Sequence, residues 1–270
     1  MKAKFFGSIC LAAAIMLFGT ALVAEDQAPY SFNIKEVFIP TLDGGKLSAD
    51  IYTPGKGKYP TILIITQSPK ARWRKEHFPR SAFCYSGDYA VVCVNTRGKG
   101  ASASNPKRTG INPFGLDGYD VIEWVAKQPW SNGKVGMWGG SNEGKNQYAT
   151  AQANPPHLNC IMPALTTTNT NEYGSIGRNY EQLYLGGVLR LELIQKARGN
   201  PLVKKIMDNP LHEDFYDYRP EGAPTVKDIK VPVMVIGAWF DNDVNRVSLR
   251  TFHNLIDAAD EKLRKNHRIL

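Results

Sequence analysis

The residues whose types and spacing carry the most chemistry are Gly139-Gly140-Ser141-Asn142-Glu143-Gly144. A short apolar strand at residues 135–138 runs into this turn, and a helix is expected to begin at once, over residues 143–153. A serine on so tight a strand-to-helix turn is pushed out with its hydroxyl exposed, and only small neighbours tolerate the backbone. The amide of the next residue, Asn142, opens into the same space, and the helix N-terminus adds partial positive charge there. One turn thus offers a nucleophile, Ser141, and half of an oxyanion hole, the Asn142 N–H. That is the equipment of acyl transfer. The generic G-x-S-x-G spacing fails at its last position, where Glu143 stands and glycine arrives one residue later. A purely structural glycine-rich turn is the competing reading, and the placement between strand and helix argues against it.

A serine hydroxyl is a poor nucleophile until a base activates it and an acid orients that base. Asp241 stands just past the carboxyl end of the apolar run 231–240, where α/β sheets place their active sites, with Asp243 as its rival. The chain has five histidines. His77 and His157 are expected in other loops, His212 in an irregular interval, His253 within a helix and His267 ahead of a strand. Each reads as a surface or packing histidine.

The elements that position these residues alternate. Residues 38–41 and 47–52 flank Asp43-Gly44-Gly45, a hairpin signal. Residues 61–65 form a continuous β-branched run, as expected of a strand buried on both faces, and residues 89–94 form another. Residues 117–127 carry Val121, Ile122, Trp124 and Val125 at helical spacing. Strand-like stretches return at 158–165 and 231–240. Such alternation predicts a mostly parallel sheet with helices on both faces. From 166 to 230 no buried strand is legible, and aromatic and helix-forming residues precede Pro210, Pro220 and Pro224. This reads as a helical cap inserted between two strands, with a packing excursion of no role as the alternative.

Several separate stretches resemble, in order, one family. Arg97-Gly98-Lys99-Gly100-Ala101-Ser102 is similar to its R-G-x-G-x-S, and Asp117-Gly118-Tyr119-Asp120-Val121-Ile122-Glu123-Trp124 and Gln128-Pro129-Trp130 precede the G-x-S-x-x-G form of the serine turn. Pro210-Leu211-His212-Glu213-Asp214 and the segment from Ile229 through Gly237-Ala238-Trp239-Phe240-Asp241 continue the match, which spans roughly residues 34–270. The chain resembles the X-prolyl dipeptidyl-peptidase and cocaine-esterase family of α/β-hydrolases, which includes glutaryl acylases and α-amino-acid ester hydrolases. The resemblance implies Ser141 as nucleophile and Asp241 as the acid that orients the histidine. It also implies hydrolysis of a small-molecule ester, amide or peptide with no metal or organic cofactor.

Three departures stand out against the family pattern. Where the family has a Pro-Tyr pair whose tyrosine hydroxyl completes the oxyanion hole, this chain has Thr66-Gln67-Ser68-Pro69, and an ungapped match puts Ser68 at the tyrosine. The residue after the nucleophile is Asn142 in place of tyrosine, but only its backbone amide is needed. The family carries its histidine after one more strand, often followed by a jelly-roll domain, and none of the five histidines here matches that segment. The 270 residues are therefore expected to be a truncated reading of a longer gene, inactive or weak as they stand. A non-catalytic binding homologue is the alternative. For a peptide substrate, Glu143 or Glu172 is a candidate anchor for the amino terminus.

Residues 1–24 form a separate unit. Lys2 and Lys4 precede an apolar run, small residues follow, and Glu25-Asp26 turns the chain polar. This is the order of a secretory signal, so export with cleavage near residue 24 is expected, leaving residues 25–270 as one hydrolase domain; a membrane anchor is the competing reading. The formal net charge of +8 falls to +6 without Lys2 and Lys4, and basic side chains are spread along the chain. That gives no concentrated face for nucleic acid. Of the three cysteines past residue 24, Cys93 and Cys160 lie in apolar runs and are expected to be buried thiols, and a Cys84–Cys93 bridge is conceivable.

Overall fold

The computed structural model describes residues 33–74, 86–166, 168, 222–238 and 245–270, with side chains in the last segment from Ser248 on, and the backbone of a small hairpin pairing Tyr184–Leu185 with Val188–Leu189. Its centre is a six-stranded sheet. The strands are β1 (Asn33–Pro40), β2 (Lys46–Thr53), β3 (Tyr59–Thr66), β4 (Ala90–Asn95), β5 (Ser131–Gly140) and β6 (Leu158–Ala164), in the spatial order β1-β2-β4-β3-β5-β6. β1 and β2 form the antiparallel hairpin predicted around Asp43-Gly44-Gly45, and β2 meets β4 antiparallel. From β4 onward every pairing is parallel. Two parallel bridges, Ile161 with Val233 and Ala164 with Ile236, carry the sheet on to β7 (Met234–Val235), which pairs parallel with β8 (Arg268–Ile269). The predicted strand at 231–240 is thus a two-residue ladder flanked by single bridges, and residues 239–244 lie outside the described ones. This mostly parallel sheet with helices is an α/β-hydrolase fold.

Burial follows the pleat. On one face Leu63, Ile65, Val92, Val94, Val135, Met137, Ile161, Val233 and Val235 form the main core with Val121, Ile122 and Val125 of α1 (Pro113–Ala126), Tyr148 and Ala151 of α2 (Asn142–Gln152) and Leu255 of α3 (Asn245–Ala258). On the other face Tyr52, Ile62, Ile64, Val91 and Cys93 gather around Trp73, which follows a single helical turn at Lys70–Arg72. Trp73 meets Trp138 edge to face. Chain that is apolar on both sides has to be a central strand, which is why 61–65 and 89–94 were legible from composition.

Two expectations need correction. α1 begins at Pro113, four residues before the apolar periodicity, because Asn112 caps it: the Asn112 side chain accepts the Gly115 N–H, and proline at the first helical position needs no acceptor. Cys160 is exposed, whereas Cys93 is fully buried as expected, and both are free thiols. Cys160 and its neighbour Asn159 are both exposed near the start of β6, between the buried Leu158 and the buried Ile161. The free Cys93 thiol leaves the conceivable bridge unmade; Cys84 lies outside the described residues, as do residues 1–32 with the expected leader, and most of the expected cap at 166–230. No helix among the described residues is long and apolar enough to cross a membrane.

Candidate active site

Parallel strands bring their carboxyl ends to one edge, so the segments after β3, β5, β6 and β7 share that edge. Ser141 lies there, immediately between β5 and α2. It occupies the position of a helix N-cap but does none of an N-cap's work. A capping serine has extended backbone and accepts an amide of the first turn. Ser141 instead has φ 52° and ψ −115°, and its side chain makes no cap bond. Its own amide donates to the carbonyl of Ala164 at the end of β6, at 2.9 Å, and its carbonyl accepts the Lys145 N–H at 3.0 Å. The result is an exposed hydroxyl on a left-handed, strained backbone. Such strain at a non-glycine residue persists only where the surroundings impose it, and it clusters at functional sites.

The surroundings do impose it. Gly139 has φ 143°, and a Cβ there would run into the Cβ of Glu143. Gly144 presses against Thr166, just past β6, leaving no room for a side chain. The glycine that sequence spacing put one residue late is therefore the one that packs the helix onto the next strand end, and the first-turn position it vacates is held by Glu143. Two buried amides of α2 finish the bracket. Asn146 donates to the Ile65 carbonyl of β3 (2.8 Å), and Gln147 donates to the Gly139 carbonyl (2.9 Å) while accepting the Met162 N–H (2.8 Å). Sequence reasoning passed over both. Their signal is polarity in a helix that must be buried at this depth, since a buried amide is costly unless paired.

Asn142 begins α2, and an amide in the first helical turn has no intrahelical acceptor, so its N–H is available to a ligand. Ser68 sits on the loop after β3, half-buried. Its amide donates to Thr66 Oγ1 (3.0 Å), its carbonyl accepts from Asn95 Nδ2 (2.9 Å), and its hydroxyl makes no hydrogen bond among the described residues. Thr66 in turn donates to Glu143 Oε1 at 2.6 Å, so the β3 loop and the first turn of α2 are joined directly. That bond also engages the Glu143 carboxylate, which the sequence offered as an anchor for a peptide amino terminus.

The loop after β4 explains the arginine-glycine motif. Arg97 grips Asp117 with two parallel bonds (2.9 and 2.7 Å), Arg108 bridges Asp117 and Asp120 (3.0 and 2.6 Å), and Asp120 takes the Leu42 N–H. Ser102 donates to the Asn95 carbonyl and accepts the Ser48 amide. These residues hold the loop to α1 and the β1–β2 turn, and through Asn95 they reach the Ser68 carbonyl.

The remaining candidates divide. Asp241 follows β7 in the chain but lies outside the described residues, as do Asp243, Glu172, His77 and His212. Two of the described histidines lie at the edge of the sheet opposite Ser141. His157 precedes β6, at the opposite edge of the sheet, where its Nδ1 pairs with Glu123 at 2.9 Å. His267 precedes β8 at that same opposite edge and is buried, its Nδ1 accepting the Val233 N–H at 3.1 Å. Burial lowers its pKa, and a ring nitrogen that must accept that bond cannot also be protonated. His253 is exposed on α3.

With this geometry in hand, likeness to known proteins becomes informative. Residues 43–182 match the family described as X-Pro dipeptidyl-peptidase (S15 family). Cocaine esterase from Rhodococcus sp. (strain MB1 Bresler) is 24% identical over 273 aligned positions, covering 84% of this chain and 47% of the relative. A crystal structure of a CocE/NonD family hydrolase from Staphylococcus aureus superposes with a TM-score of 0.60 at 25% identity, over 83% of this chain and 47% of that one. An α-amino acid ester hydrolase, at 22% identity and TM-score 0.57, shares the fold over 94% of this chain and 48% of its own. The chain thus spans about half the length of these relatives.

Proposed function

Because the chain belongs to the X-Pro dipeptidyl-peptidase (S15) family of hydrolases, we propose that it acts on esters or amides through an acyl-serine intermediate, with Ser141 as nucleophile. The observation that carries this reading is Ser141 itself: an exposed serine at φ 52°, in a cap position, with no capping role. Ser141 Oγ attacks the substrate carbonyl. The charge that develops on the carbonyl oxygen is met by the Asn142 N–H and the Ser68 hydroxyl, held by protein groups that need no rearrangement as the charge forms. Asp241 orients the imidazole that takes the serine proton. His157, His253 and His267 do not supply that imidazole, and His77 and His212 lie outside the described residues, so the 270 residues are expected to hydrolyse esters only weakly, through a Ser141 hydroxyl that no described base activates. A binding homologue without turnover is the second reading, favoured by that same placement of the histidines.

Among substrates the reading is a small ester or amide; Glu143, the anchor candidate for a peptide amino terminus among the described residues, gives one carboxylate oxygen to Thr66 and keeps the other. The reading includes export, with residues 1–24 as the leader; intact-mass measurement on protein recovered outside the cytoplasm should show that segment removed, and a full-length cytoplasmic product contradicts it. The chemistry is tested with p-nitrophenyl acetate. Ser141→Ala should abolish whatever turnover the chain has while leaving its thermal midpoint within about 1 °C, since surface changes away from packing are near neutral. Turnover that survives the substitution rejects Ser141.

A further inference from the structure

The bond between Thr66 and Glu143 joins the end of β3 to the first turn of α2, which the chemistry needs in register, and nothing in the serine mechanism itself calls for it. Thr66 is fully buried, and its hydroxyl is fully committed. It accepts two N–H groups, from Ser68 (3.0 Å) and from the indole of Trp73 (3.3 Å), and therefore has only its own proton left to give, which goes to Glu143 Oε1 at 2.6 Å. A hydroxyl has one proton and two acceptor sites, so this arrangement fixes its orientation completely. Glu143 is the residue that breaks the generic serine-turn spacing, and Gly139 makes the room for it. On the far side, Asn95 Nδ2 holds the Ser68 carbonyl. The Ser68 residue is thus clamped at its amide and at its carbonyl, and its hydroxyl is the group left without a partner among the described residues.

We propose that Thr66 and Glu143 are positioning residues of the oxyanion hole, acting through a hydrogen-bonded chain from the first turn of α2 to the Ser68 amide that sets the Ser68 hydroxyl against the Asn142 N–H. This rests on the reading of Ser141 as nucleophile and Ser68 as oxyanion donor. The role of Glu143 is that of an acceptor for Thr66, so it needs an oxygen at that place and not a charge. An alternative role for an acid in a first helical turn, favourable interaction with the helix dipole, needs the charge and not the oxygen. The two are separable by substitution.

The experiment measures kcat and KM for p-nitrophenyl acetate on the purified chain, with melting curves for each variant. Removing one oxyanion donor costs about 100-fold or more in kcat, and displacing it by a fraction of an ångström costs a part of that, so Glu143→Ala and Thr66→Val should each lower kcat by about 10-fold with KM held within about twofold. Glu143→Gln, which keeps the acceptor oxygen, and Thr66→Ser, which keeps the hydroxyl, should each restore most of the rate. Ser68→Ala should lower kcat, and adding Glu143→Ala to it should cost little more, because both act on one group. The inference is overturned if Glu143→Ala folds and retains its kcat, if Glu143→Gln is as slow as Glu143→Ala, or if the Ser68 and Glu143 losses multiply in full. Should Thr66→Val fail to fold, the half-exposed Glu143 series decides alone. An unchanged rate in Ser141→Ala overturns the inference together with the reading beneath it, whereas a lost rate there with an unaffected Glu143→Ala overturns the inference only.

Discussion

Ser141 holds a conformation that serine does not choose. A left-handed non-glycine residue costs about 1–3 kcal/mol, and glycine at the same place avoids most of that. Ser141→Gly is therefore expected to raise stability by about 1 kcal/mol while removing turnover, read by denaturant unfolding beside an ester assay. A destabilised Ser141→Gly would mean that the elbow is not strained. The type and spacing of Gly139-Gly140-Ser141 made this turn legible in the sequence, because glycine and a strand-to-helix change are local signals. The joint between Glu143 and Thr66 was not legible, since it pairs residues 77 apart in the chain. Cys160 was misread for a related reason: an apolar neighbourhood says which residues belong to a strand, and only packing says which face is covered.

At the scale of elements, α2 is apolar on one stripe only, and its contact with the sheet is completed by side-chain amides. Gln147→Leu keeps the volume but strands the Gly139 carbonyl and the Met162 amide, so a loss of about 1–3 kcal/mol is expected in urea unfolding, with turnover falling as the elbow loosens. The β7–β8 pair has its own sensitivity. Burial lowers the His267 pKa below the ordinary histidine value, so below about pH 6.5 the unfolded chain binds a proton that the folded chain resists. Stability should accordingly fall as pH drops from 7.5 to 5.5, and His267→Asn, which keeps an acceptor for Val233, should flatten that slope. An unaltered slope in His267→Asn would contradict the assignment. The sequence placed His267 ahead of a strand, which is where it lies, but its bond to Val233 depends on a parallel pairing that no local pattern reveals.

Over the whole molecule, charge pairs bind the antiparallel end of the sheet to the parallel part. Arg97, Arg108, Asp117 and Asp120 are all nearly buried. Removing one member of such a network leaves its partners buried and unpaired, so Arg97→Ala should cost about 3–5 kcal/mol, and Arg97→Lys should recover only part because lysine cannot make the two parallel bonds to Asp117. Asp43 is held down at about 2, chiefly by the Thr41 hydroxyl and with help from Arg97. For Asp50 burial alone would raise the pKa, and hydrogen bonds from Arg74 and Lys70 outweigh it to leave the value lowered. Carboxylates lowered in the folded state contribute stability that is present above about pH 4 and lost as pH falls below it, so acid unfolding should set in there. The alternation of strands and helices foretold the architecture, and Arg97 and Asp117 were visible as motif letters. Their meaning as a structural joint needed Arg108, which carries no motif.

The central claim is that Ser141 forms a covalent acyl intermediate, and the most direct measurement is to find the acyl group. The chain is incubated with p-nitrophenyl acetate, quenched in acid and digested, and the peptide that contains Ser141 is sequenced by mass spectrometry. The p-nitrophenoxide leaving group departs without acid assistance whereas deacylation needs an activated water, so with no described histidine in place deacylation is slowed more than acylation, and acetyl should accumulate on Ser141 and be absent from Ser141→Ala. Acetyl confined to surface lysines, with p-nitrophenol release equal in the chain and in Ser141→Ala, would contradict the account.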